Sequence, residues 1–493
     1  MDLMYKSTRG DEYCTASQAV IKGLASDGGL YVPTEFPVFQ KSLEEMSRMD
    51  YRELAYNVMS LYLTDYTEEE LRYCVNNAYD EKFDTPAIAP LREAGGAYYL
   101  ELFHGRTLAF KDMALSILPY LMTTAAKKNN ITDKIVILTA TSGDTGKAAL
   151  AGFADVPGTG IIVFYPKDGV SRVQELQMVT QKGANTLVAG IHGNFDDAQA
   201  GVKKMFSDKD LEKLLAAKGY RFSSANSINV GRLVPQVVYY VHAYTELMRR
   251  GVISAGDPVN LCVPTGNFGN ILAAYFAKRS GLPVNKLILA SNKNKVLTDF
   301  FNTGTYDRNR EFYVTSSPSM DILVSSNLER LIYLIDGCSS ELTADLMAKL
   351  SKAGKYEITQ EMMEQLVDFY AGFATEEDTL AEIGKLYEET GYVTDTHTAV
   401  AGSVYRSYKA GTGDTTPTVI TSTASPYKFS AAVVGAIEGD ISGKSDDELI
   451  ARLSALSGTE IPDAVASLSS APVLHKTVCK IAEMEKVVLD FLK

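Results

Sequence analysis

Between residues 134 and 293 the chain alternates short apolar runs, rich in Val and Ile, with turns of Gly, Pro, Ser or Asn and then amphipathic stretches. Such alternation predicts βαβ units and a parallel sheet. The predicted strands are Lys134–Ala140, Gly160–Tyr165, Asn185–Ala189, Val259–Val263 and Lys286–Ser291. Ser171 is placed to cap a helix on which Val173, Leu176 and Val179 share a face, and Gly183 is placed to end it. Another helix is expected from Pro235 to Arg250, opened by the proline. From about Ser319 to Glu389 the texture turns helical and charged, including Glu361–Phe373 and Glu376–Glu389, which predicts a helical insertion. The sheet pattern returns at Thr418–Ser422, and a surface helix is expected over Leu474–Leu492. Ahead of the sheet, helices at Leu43–Met59 and Thr67–Tyr79 and a glycine turn at Asp27-Gly28-Gly29 mark a separate N-terminal domain over residues 1–90.

A length of 493 residues with 46% hydrophobic positions supports two to four domains with large cores. No stretch approaches the ~20 consecutive apolar residues of a membrane span. The start, Met1 to Lys6, has neither a secretory core nor an Arg-rich transit pattern, so a soluble cytosolic protein is expected. A net charge of −13 argues against a nucleic-acid partner, although an acidic average can hide a basic pocket. Cys14, Cys74, Cys262, Cys338 and Cys479 are scattered without a CxxC pair, as expected of unreactive thiols in a reducing compartment. The five histidines show no metal-ligand spacing, and only His397 is expected to support a site from behind.

Four segments carry candidate chemistry. In Leu108-Ala109-Phe110-Lys111-Asp112, the lysine reads either as a snorkelling surface residue or as an amine kept neutral by a desolvating pocket, ready to condense with an aldehyde. Thr139 to Lys147 lies between a predicted strand and a helix, where free N–H groups seat an anion. Its Gly146-Lys147 is not a P-loop, because Thr141 and Ala148 occupy positions that a P-loop gives to Gly and to Ser or Thr. Pro264 to Asn270 repeats the strand–glycine turn–helix arrangement. Ser224 to Arg232 can cap a helix or cradle a phosphate ester, with Arg232 giving a forked contact. Finally, Thr421 to Phe429 places hydroxyls just past the carboxyl end of a strand, where open α/β sheets bind ligands.

In this order the segments resemble the threonine synthase family, within the fold-type II pyridoxal phosphate enzymes that include the tryptophan synthase β subunit. Tyr5 to Gly10, Gly23 to Pro33, Gly193 to Gln199 and Pro318 to Asn327 add to the likeness, which covers roughly residues 5–430. The resemblance implies an α/β fold with two open sheet domains around the cofactor, formed by residues 91–318 and 390–435. The N-terminal domain, a helical insertion over 319–389 and a C-terminal helical segment over 436–493 complete it. It implies pyridoxal 5′-phosphate bound covalently to Lys111, which is also the mobile acid and base. Gly266, Asn267, Phe268, Gly269 and Asn270 would cradle the cofactor phosphate, and Thr423 would face the pyridine nitrogen. Ser142, Gly143, Asp144 and Thr145 would hold the substrate carboxylate, and Asn226, Ser227 and Arg232 the phosphate of O-phospho-L-homoserine.

The implied reaction is conversion of that substrate and water to L-threonine and phosphate, by a monomer or homodimer without metal. A phospho-lyase on the same scaffold and a non-catalytic relative are the rivals. The chain departs from the family pattern at Arg106, at Ser425 in place of a histidine, at Tyr427 in place of a small residue, and at Thr396 in place of a proline.

Overall fold

The computed structural model describes residues 2–141, 143–170, 172–468 and 470–493. Two open sheets dominate it. The first has five parallel strands in the spatial order Thr477–Lys480, Thr186–His192, Thr159–Pro166, Lys134–Ala140 and Tyr220–Ser223. Its three inner strands are largely apolar because both faces are covered, whereas the outer strands Thr477–Lys480 and Tyr220–Ser223 are partly exposed. Ile135, Ile137, Ile161 and Val163 join the main core, whereas Val136, Leu138, Ile162 and Phe164 pack into a second cluster on the opposite face.

The other sheet has six strands, in the order Phe369–Phe373, Val284–Ser291, Val259–Pro264, Thr418–Ser422, Ala97–Glu101 and Leu91–Ala94. Only the last pair is antiparallel. Here too the faces divide, with Leu261, Val263 and Leu289 in the main core and Cys262, Ile288 and Ile420 in a separate cluster. The α/β expectation is met, and every predicted strand is present with its ends shifted by at most a few residues.

Several expected elements are corrected. The helix through Pro235 runs from Val230 to Arg249, so the proline lies inside it and Asn229 provides the cap, accepting from the Gly231 N–H at 2.8 Å. Leu43–Met59 is broken into Leu43–Met46 and Tyr51–Tyr62, because the Asp50 side chain caps a new start by accepting from the Glu53 N–H at 2.8 Å. Glu361–Phe373 is not one helix. A short helix, Gln360–Glu364, is followed by the edge strand Phe369–Phe373, so a stretch expected as helical insertion supplies part of the core sheet. The C-terminal helix is confined to Met484–Phe491, since Thr477–Lys480 instead extends the five-stranded sheet beside Thr186–His192. The Ser171 cap and the Val173 side chain lie outside the described residues.

The N-terminal region forms a three-stranded antiparallel sheet, Tyr13–Cys14, Tyr5–Ser7 and Tyr31–Pro33, and packs on the rest through Tyr5, Val58 and Tyr62. Near the other end, helix Asp446–Ser457 buries Leu449 and Leu453 against Val433, Val434 and Ile383. Tyr427 joins this cluster, and its hydroxyl donates to the Thr459 carbonyl at 3.0 Å. The aromatic ring at a position where a small residue is customary is thus what ties the strand-end turn to the C-terminal segment. Among the described residues no helix is long and apolar enough to cross a membrane.

Candidate active site

The candidate segments meet at the carboxyl ends of parallel strands, the edge at which open α/β sheets bind ligands. Lys111 begins the short helix Lys111–Leu115, and the chain before it is pinned to the Thr418–Ser422 strand end. An isolated bridge joins Ala109 to Ala424, and the Phe110 N–H donates to the Thr423 carbonyl at 2.8 Å. Lys111 and buried Thr423 are therefore held side by side through backbone. Desolvation by the surrounding protein pushes the Lys111 amine down to about 8, with the Lys428 and Arg232 cations adding to the effect and Asp144 opposing it. Asp112, whose charge also opposes the lowering, is taken up by the loop before the helix. It accepts from the Thr107 N–H at 2.8 Å and the Thr107 hydroxyl at 2.7 Å, which folds the Gly105–Thr107 loop around it and leaves Arg106 exposed.

The Pro264–Asn270 turn leads into helix Gly269–Arg279. The left-handed residue in it is Phe268, with φ of +64°, while Gly266 serves close approach. A Cβ at Gly266 would lie 2.6 Å from the Ser319 carbonyl oxygen. Asn327 braces the turn from behind, with its N–H and its side-chain amide both donating to the Asn267 carbonyl, at 3.1 and 3.0 Å. Asn270 accepts from the Tyr239 and Tyr240 hydroxyls at 2.6 and 2.5 Å, yet among the described residues its buried amide nitrogen has no partner. A buried donor without an acceptor at a helix start has the chemistry that suits an anion.

In the turn after Lys134–Ala140, Thr141 accepts from the Gly143 and Gly146 N–H groups at 3.0 and 3.1 Å and so shapes the start of helix Asp144–Phe153. Ser142 lies outside the described residues, and Gly143 and Thr145 are half-buried. Asp144 is buried between two buried lysines. Lys428 Nζ lies 2.7 Å and Lys147 Nζ 3.0 Å from Asp144 Oδ1. These cations hold the Asp144 carboxyl well below the usual carboxylate range in spite of burial. Lys428 also donates to the Thr107 carbonyl at 3.1 Å, which stitches the Lys111 loop to the Asp144 turn.

Arg232 is only 3% exposed, and among the described residues no carboxylate pairs with it. One of its terminal nitrogens donates to the Ala225 carbonyl at 2.8 Å, Nε has no partner among the described residues, and burial lowers the guanidinium to about 10. Ser227 is half-buried and takes a 3.5 Å contact from the Asn327 amide, which links this segment to the Pro264–Asn270 turn. Asn226 is exposed, with its N–H donating to the Ser224 hydroxyl.

Four residues of the site lie inside motifs that the sequence singles out but receive no role from it: Ser319, Asn327, Lys147 and Lys428. Lys147 lies three positions from Asp144 on one helix, a spacing that signals a pair. The others announce themselves only through tertiary contacts. Ser319 Oγ is 3.4 Å from Lys111 Nζ.

Three family models match the chain in succession. One described as threonine synthase N terminus covers residues 4–79, one described as pyridoxal-phosphate dependent enzyme covers 83–424, and one described as threonine synthase, C-terminal, covers 398–486. Human threonine synthase-like 1 is 41% identical over 86% of this chain, which spans 58% of that protein's length. Threonine synthase of Pseudomonas aeruginosa is 38% identical over 87% of this chain and 90% of its own. The crystal structure of a threonine synthase from Brucella melitensis, with bound pyridoxal phosphate, covers 100% of both chains at 34% identity, with a TM-score of 0.88. The residues present fit that cofactor: a desolvated amine at Lys111, an orphaned amide at Asn270 in a helix-start turn, and surplus buried cations. Sequence and fold agree, and the chain belongs to the threonine synthase family of pyridoxal-phosphate-dependent enzymes.

Proposed function

We propose that the protein is a threonine synthase that converts O-phospho-L-homoserine and water to L-threonine and phosphate. The observation that carries this reading is Arg232, a buried guanidinium without a carboxylate in a chain of net charge −13. A buried cation costs several kcal/mol unless something compensates it, and a substrate phosphate in a forked contact is a fitting partner.

Lys111 would hold the cofactor, the Gly266–Asn270 turn its phosphate, and Thr423 its ring nitrogen. When bound, the cofactor supplies the electron sink that acidifies the carbons next to the substrate's amino group. Burial keeps a substantial share of Lys111 neutral near physiological pH, and once displaced by the substrate amine it takes the Cα proton as the free amine. A second proton leaves Cβ as phosphate departs from Cγ into the reach of Arg232, a proton is returned to Cγ to make the methyl group, and water adds its hydroxyl at Cβ while its other proton goes to the phosphate. Lys111 then returns a proton to complete threonine. The Gly143–Thr145 turn orients the substrate carboxylate through helix-start N–H groups. Asp144 does not repel that carboxylate at full strength, because Lys147 and Lys428 neutralise it. A neutral hydroxyl at Thr423, in place of a carboxylate, keeps the sink moderate and favours replacement over simple loss of phosphate.

The test incubates the cofactor-loaded protein with O-phospho-L-homoserine and separates amino acids from keto acids. Threonine and phosphate in equal amounts are expected, with none from Lys111→Ala. A keto acid in place of threonine would assign the chain to the phospho-lyases.

A further inference from the structure

Residues 315–327 form an irregular strap that touches both halves of the cofactor site. At its centre is the turn Pro318–Met320. The Ser319 carbonyl closes over Gly266, and the Ser319 hydroxyl lies 3.4 Å from Lys111 Nζ. What fixes this turn is a buried His–Asp pair on helix Thr396–Thr412. His397 Nε2 accepts from the Ser319 N–H at 3.1 Å, so the ring proton is on Nδ1, which donates to Asp395 Oδ2 at 2.8 Å. Asp395 is held in turn by the N–H groups of His397 and Thr398, at 2.9 and 3.1 Å, and by the Thr398 hydroxyl. Asp395 and Thr398 are fully buried and His397 is 2% exposed. Thr396, at the position where the family has proline, adds a second tether, its hydroxyl donating to the Ser316 carbonyl at 2.7 Å.

A fixed imidazole spent on one backbone N–H is an unusual investment for packing alone. A histidine oriented by a carboxylate ordinarily presents its far nitrogen to something whose position matters. Here that something is the residue in contact with the reactive amine. We propose that Ser319 is a positioning residue for Lys111, holding the amine while it is free of the cofactor, and that the Asp395–His397 pair sets Ser319 in place. This deepens the threonine synthase reading and rests on it for the kinetic arm of the test.

The experiment compares Ser319→Ala, His397→Ala, His397→Gln and the double variant Ser319→Ala/His397→Ala. In the cofactor-loaded protein, Ser319→Ala is expected to lower kcat about 10- to 100-fold with KM changed less than about threefold, the range for a positioning contact. His397→Ala should match it, and His397→Gln, whose side-chain oxygen can take the same N–H, should recover most of the rate. If His397 acts through Ser319, the double variant is no slower than Ser319→Ala. In the cofactor-free protein, trace labelling of Lys111 with an amine-specific reagent gives a titration midpoint. Loss of the hydroxyl that accepts from the ammonium should move it to lower pH. An unchanged kcat and midpoint in Ser319→Ala would overturn the proposal, as would multiplicative losses in the double variant. Should the midpoint move although no threonine forms in any variant, the reaction assignment fails and the positioning role stands.

Discussion

The neutral amine at Lys111 is the quantity on which the chemistry turns, and it can be measured without substrate. Burial lowers Lys111 from 10.5 to about 8. At pH 7.5 about a quarter of the molecules then carry a free amine, against about one in a thousand for an ordinary lysine. Competitive labelling of the cofactor-free chain across pH 6 to 11, read by peptide mass spectrometry, should give a Lys111 midpoint near 8. Lys428→Met should raise that midpoint, because it removes one of the cations that disfavour the ammonium, and it leaves Asp144 paired with Lys147. Stability follows with a definite sign. Between pH 8 and 10.5 the unfolded chain binds more protons at this site than the folded one, so folding is favoured as pH rises through that window, by up to ~3 kcal/mol. Lys111→Met should remove that contribution and leave the one from Lys147, whose amine burial lowers to about 7. A wild-type midpoint near 10, or a Lys428→Met midpoint below the wild type, would refute the desolvation argument.

Arg232→Met should trade binding for stability. Removal of an unpaired buried cation is expected to raise the stability of the substrate-free protein by about 1–3 kcal/mol in chemical denaturation, while the KM for O-phospho-L-homoserine rises at least tenfold. Gly266→Ala places a methyl group 2.6 Å from the Ser319 carbonyl, so the turn must shift, and cofactor affinity measured by absorbance titration should fall at least tenfold. Tyr427→Ala leaves a cavity in the C-terminal cluster and unties Thr459, a loss of about 3–5 kcal/mol, and limited proteolysis should then cut between residues 440 and 468 before it cuts either sheet.

Strands such as Lys134–Ala140 and Thr418–Ser422 were legible in the sequence because burial on both faces leaves β-branched and apolar residues at nearly every position, with the hydroxyl residues among them being mostly threonine. Phe369–Phe373 was not, since as an edge strand its residues are only partly covered and it follows charged helical sequence closely. Lys111, Arg232 and the two glycine turns stood out because hydroxyls, glycines and a lone cation beside strand ends have a local chemical signature. Ser319 and Lys428 have none. Ser319 gains its meaning from His397, and Lys428 from Asp144, partners far away in sequence whose approach only the folded chain specifies.

The six-stranded sheet has a bearing on how the chain is made as well as on what it does. Ala97–Glu101 enters that sheet only beside Thr418–Ser422, which is also the inner neighbour of Val259–Pro264. During synthesis, both early strands emerge long before the one that joins them, each with an open hydrogen-bonding edge. Closure over so long a stretch of chain is entropically costly and slow, so the nascent polypeptide spends its early life as an aggregation-prone half-sheet, and a chaperone that shields strand edges is the assistance this topology calls for.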